Sequence, residues 1–97
     1  MTQGFIVCQP YADQIISGEK TEEFRTFRTI KLNEPIYLLS EGKAHGLILF
    51  ESIREIDFKS YAWKIKVLKK FKEPIPYERK TGQQIWVKEV KLSVVVK

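Results

Sequence analysis

Tyr61-Ala-Trp-Lys-Ile-Lys-Val67 is the cleanest alternation in the chain. Successive side chains of a strand point to opposite faces, so Tyr61, Trp63, Ile65 and Val67, with Phe71 beyond, define an inward face. Lys64, Lys66 and Lys70 fall on the other, which is basic and outward. The segment reads as a strand, and its neighbours read as strands too.

Upstream, Ile36-Tyr-Leu-Leu39 and Gly46-Leu-Ile-Leu-Phe50 are apolar runs bounded by turn-like breaks at Asn33-Glu-Pro35 and Glu41-Gly-Lys43. The apolar phase slips within residues 51–56, where a bulge would let the strand continue in a curved sheet. Downstream, Pro74 and Pro76 are expected to interrupt regular structure. Lys80-Thr-Gly82 reads as a turn before a strand at Gln84-Ile-Trp-Val87, and residues 90–96 read as a last strand inside the sheet. At the other end Gly4-Phe-Ile-Val-Cys8 is a short strand, followed by a change of period at Pro10. Tyr11/Ile15 and Ala12/Ile16 lie one helical turn apart, and Gly18 stands where a left-handed C-cap would end a helix of about two turns. Residues 20–28 alternate again, with Thr21, Glu23, Arg25 and Phe27 on one face and Glu22, Phe24, Thr26 and Arg28 on the other. The expected fold is α+β but mainly β: a small mixed β-barrel with a short helix after the first strand, in one domain spanning residues 1–97.

Composition agrees with a packed domain. Its 97 residues suit one core, and 43% hydrophobic against 30% charged residues is unlike a disordered segment. No apolar run reaches the roughly 20 residues of a membrane helix, and the first residues lack the basic and apolar regions of a secretory signal. A soluble, cytoplasmic protein without a membrane partner is the expectation. One cysteine, Cys8, and one histidine, His45, leave no intramolecular disulfide and no Cys/His zinc site. Cys8 reads as buried in its strand, and His45 as a surface turn residue. No metal or cofactor is expected, and phosphate-loop, nucleophile-elbow and dinucleotide motifs are absent.

Charge is divided along the chain. Through Phe58 there are six Lys/Arg against nine Asp/Glu, and from Lys59 onward eleven against three. The basic half would attract phosphates or an acidic protein partner. Lys64, Lys66 and Lys70 in a row, extended by Arg79 and Lys80, would suit a nucleic-acid backbone, while a solvated strand that blocks edge aggregation has the same sequence. Tyr11, Tyr77 and Trp86 are candidates for base stacking, and equally for the core.

The densest polar stretch is Gly18-Glu-Lys-Thr-Glu-Glu-Phe-Arg25. A glycine turn permits close backbone approach, Lys20 stands at the strand entrance, and Glu23 and Arg25 share a face, so three ionisable groups can converge on one cleft. Arg25 suits a phosphate or planar carbonyl edge, Glu23 an exocyclic amine, and Lys20 a phosphate or acid–base chemistry. The alternative is simple ion pairing at a strand end, Glu23 with Arg25 or Glu22 with Arg28.

Pro10-Tyr-Ala, Ile15-Ile-x-Gly18 and Gly18-x-Lys20-Thr21-x-Glu23-x-Arg25, after a short first strand, resemble the signature of ASCH domains, the activating signal cointegrator homology family of the PUA-like superfamily. Ile36-Tyr-Leu, the Lys/aromatic strand around Trp63, Pro74-Ile-Pro and Gly82-Gln-Gln-Ile-Trp86 agree with it. The resemblance implies a PUA-like β-barrel with a cleft beside its helix, binding RNA or a modified nucleoside. It places Tyr11, Gly18, Lys20, Thr21, Glu23 and Arg25 at the ligand. One branch of the family hydrolyses the amide of N-acylated cytidines with the motif lysine, a threonine three residues later and a glutamate from a helical insert. Here Lys20 is kept, Glu23 occupies the threonine position, and no helical insert is visible between Phe50 and Trp63. In a hydrolase Lys20 would have to be partly neutral near pH 7 to act as base or nucleophile, with Glu23 moving protons.

Overall fold

Glu41 and Gly42 take positive φ (52° and 78°), and Lys59 does so at 54°. The first pair is the turn between β3 (Ile36–Ser40) and β4 (Lys43–Asp57), and Lys59 lies in the turn from β4 to β5 (Ser60–Pro76). The computed structural model describes residues 2–29, 31–78 and 85–93. Its remaining elements are β1 (Gly4–Ile6), α1 (Tyr11–Ser17), β2 (Glu22–Arg25) and β6 (Trp86–Val87).

The strands form one mixed sheet in the order β2-β5-β4-β3-β1-β6. Among the described residues only the β1/β3 pair is parallel. Among the described residues the end strands β2 and β6 do not pair with each other, so the protein is mainly β with one short helix and an unclosed sheet; the barrel is not seen.

Adjacent residues of a strand serve opposite faces, and the sheet has a core on each. Phe5, Leu38, Ile48, Phe50, Trp63 and Ile65 pack on the helix side with Ala12 and Ile15 of α1. Ile6, Leu39, Ala44, Tyr77 and Val87 form a smaller cluster on the other side. Phe71 joins this second cluster with Tyr37, not the first, as strict alternation had it. Burying such side chains stabilises by about 1.5–3 kcal/mol each before entropy is counted.

The helix approaches the sheet over Gly46. A Cβ there would collide with the Lys69 carbonyl and stand 2.9 Å from Ile16 Cδ1, so glycine makes room for both the neighbouring strand and the helix.

The expected slip within 51–56 is present: the β4/β5 register shifts between Phe50 and Ser52 and between Glu55 and Asp57, and the strand continues through both. Other local expectations are corrected. Pro74 and Pro76 lie within β5: the register passes from Gly46↔Lys70 to Ala44↔Ile75 and so sets Pro74 in a bulge that needs no ladder donor, while Pro76 is the last residue of the strand, opposite Lys43. Cys8 is exposed beyond β1, its carbonyl accepting from Tyr11 and Ala12 N–H at the start of α1. His45 belongs to β4, its side chain 11% exposed, with Nε2 donating to the Ser40 carbonyl at 3.2 Å and Nδ1 3.9 Å from Asp13 Oδ1. Residues 90–93 contribute a single bridge, Leu92 to Tyr77, where an interior strand was expected. The expected turn at 80–82, Gln84 and residues 94–96 lie outside the described residues.

Candidate functional site

The reversal at Gly18 positions the motif. Gly18 ends α1 at φ 87°, its N–H donating to the Ile15 carbonyl at 3.1 Å, a left-handed cap that favours glycine. The returning chain is tied to the helix by Lys20 N–H on the Gln14 carbonyl (2.9 Å), and to β5 by Ile65 N–H on the Thr21 carbonyl (2.9 Å). Thr21 itself is exposed and holds β5 through its backbone carbonyl. Register then sets Glu22 opposite Lys64, Glu23 opposite Trp63, Phe24 opposite Ala62 and Arg25 opposite Tyr61.

Glu23 is the centre of the constellation and is 7% exposed. Its Oε2 accepts from Arg25 Nη2 at 2.7 Å, and its Oε1 lies 3.6 Å from Lys20 Nζ. One carboxylate thus stands between two cations, and the cluster carries a net positive charge. The Arg25 guanidinium also lies 5.0 Å from the Phe5 ring centroid, a cation–π contact at the edge of the core. Its Nε is buried and, among the described residues, has no hydrogen-bond partner. A donor held in this way costs about 1–3 kcal/mol, which an acceptor on a ligand would offset.

The Lys20 ammonium that meets Glu23 also lies over two aromatic rings, 5.4 Å from the centroid of Tyr11 and 5.1 Å from that of Phe24. The rings border a shallow depression of about 350 Å³. The outward phase of Phe24 was readable in the alternation of residues 20–28; that the ring would meet Lys20 was not, because the meeting depends on the reversal at Gly18.

One of the two expected ion pairs forms. Glu23 binds Arg25, whereas Glu22 accepts from Arg54 Nη2 of β4 at 3.0 Å and not from Arg28. Arg28 instead lies 5.6 Å over the Tyr61 ring.

The lysine row is altered by a bulge. Leu47 pairs with Lys69 and Ile48 with Val67, which leaves Leu68 unpaired and reverses the phase of every later residue of β5. Lys64, Lys66 and Lys69 therefore share the outward face. Lys70 lies opposite Gly46, on the helix side, and leaves the row assigned to it by alternation. Lys64 is flanked by Glu22, while Lys66 and Lys69 stand opposite Leu49 and Leu47. Arg79 and Lys80, the expected extension, lie outside the described residues.

The aromatics separate clearly. Tyr77 is buried in the second cluster, and Trp86 stacks on Trp63 at 6.1 Å and 18°, so both serve packing; Tyr11 is 51% exposed. Lys31 lies 5.2 Å over the Trp86 ring, a cation that sequence spacing did not single out. Among the described residues no three His, Cys, Asp or Glu side chains gather as a metal site, and no helix is long and apolar enough to cross a membrane.

A scan against protein-family models finds no match for this chain, and a search of curated proteins finds none.

Proposed function

We propose that the protein is an ASCH-type, PUA-like module that binds RNA or a modified nucleoside in the cleft of Lys20, Glu23 and Arg25. The observation that carries the reading is the buried, unpartnered Nε of Arg25 beside a buried carboxylate, against the Phe5 ring. Opening the Glu23–Arg25 pair to a ligand would present a donor and an acceptor to the edge of a base, next to an apolar surface. Lys64, Lys66 and Lys69 would meet phosphates, each contact adding salt dependence to affinity. The bulges of the β4/β5 pair supply the bending that a PUA-like barrel requires. An acidic protein partner is the competing occupant of the lysine face.

The hydrolase alternative rests on the pairing of Lys20 with Glu23 at 3.6 Å. Against it, the Lys20 amine is met by a carboxylate and two ring faces, which are partners for a cation. Mass spectrometry of nucleosides and RNA retained by the natively purified protein tests the binding reading. We expect a retained ligand that a Lys20→Ala/Arg25→Ala variant of the same fold does not hold. No retention, together with turnover of N-acylated cytidines that Lys20→Ala abolishes, would replace binding by catalysis.

A further inference from the structure

Among the described residues six large hydrophobic side chains are exposed: Tyr11, Phe24, Phe27, Ile56, Phe58 and Leu68. Phe27 packs edge-on against Trp63, and Phe58 sits alone at the β4–β5 turn beneath its own neighbour Lys59. Leu68 is the bulged residue of β5. Tyr11 and Phe24 differ, because they come from separate elements, are 51% and 55% exposed, and enclose one lysine from two sides. Burial cannot account for rings left half open.

We propose that the depression between Tyr11 and Phe24 is a stacking subsite for a second nucleobase of a single-stranded RNA whose neighbouring base occupies the Glu23/Arg25 cleft. This rests on the binding function proposed above and adds the form of the ligand: an extended strand of at least two nucleotides. Two half-exposed rings offer π-faces to any base once the Lys20 ammonium, which rests over both and 3.6 Å from Glu23, turns from them to the phosphate that joins the two positions. The depression, about 350 Å³, is open and lined also by Gln14, Thr21, Glu19 and Glu22, whose side chains can meet ribose hydroxyls or the amines of a base edge.

The test is fluorescence anisotropy with a labelled single-stranded oligouridylate. Wild type is compared with Tyr11→Ala/Phe24→Ala, with the ring-preserving Tyr11→Phe/Phe24→Tyr, and with Lys20→Ala/Arg25→Ala, after circular dichroism has shown each to be folded. Loss of the two rings is expected to weaken binding roughly tenfold or more per ring, with the slope against salt unchanged because no phosphate charge is removed, and the ring-preserving variant should bind as wild type does. Wild-type affinity in the alanine pair would overturn the stacking subsite while leaving the cleft in place. Failure of the wild type to bind the strand would overturn the subsite too; a nucleoside still retained through Lys20 and Arg25 would then preserve the cleft reading, and its absence would remove both.

Discussion

At the scale of single residues, Glu22 and Glu23 are neighbours with opposite circumstances. Glu23 has a side chain 9% exposed and two cationic partners, whereas Glu22, at 27%, meets an Arg54 side chain that is 62% exposed. Removing a partner from a buried pair strands the remaining charge, while an exposed pair is screened and entropically costly to hold. Glu23→Ala should therefore destabilise by about 2–3 kcal/mol and Glu22→Ala by less than about 1 kcal/mol, measured by urea unfolding. Equal losses would show that Arg25 finds water as readily as Arg54 does. Alternation revealed that Glu23 and Arg25 share a face. It could not reveal which carboxylate is buried, since that follows from Trp63 standing opposite Glu23 across the ladder.

At the scale of elements, the short helix and the main strands were legible because their apolar periods are clean and their ends carry glycine or turn residues. Bulges showed themselves as breaks in that period. The slip in residues 51–56 is a broken apolar phase, and Val67-Leu68 followed by Lys69-Lys70 breaks the alternation in the same way; keeping the earlier phase through it is what assigned Lys70 to the outward row instead of the helix side. His45 was misplaced for a related reason: it falls at the register shift between Ala44 and Gly46, inside a strand that begins earlier than its apolar run. Gly46 beside it leaves room for Ile16 of α1 and for the neighbouring strand, so Gly46→Ala should cost about 1–3 kcal/mol in urea unfolding, since the Lys69 carbonyl is backbone and cannot rotate aside. An unchanged midpoint would mean that β4 and β5 separate with little resistance.

At the scale of the whole molecule, the division of charge along the chain becomes a basic outward face on one long strand. If the proposed function holds, Lys66→Glu and Lys69→Glu should each weaken RNA binding and reduce the slope of log affinity against log salt by about 1 or more, whereas Lys70→Glu, on the other face, should change it less. Equal effects at positions 69 and 70 would indicate attraction by net charge alone, as would suit an acidic protein surface. The overall class, mainly β with one helix, followed from local patterns; the parallel pairing of β1 with β3 and the two-sided core did not, since both depend on contacts between distant segments.

That arrangement places β1 between β3 and β6, so that Phe5 meets Phe50, Trp63 and Trp86, all from segments far from it in sequence. Until those distant strands are added, β1 remains a half-made interior surface. Non-local closure of this kind is what slows the folding of small β-rich domains, and here it makes the order of synthesis and the order of assembly necessarily different.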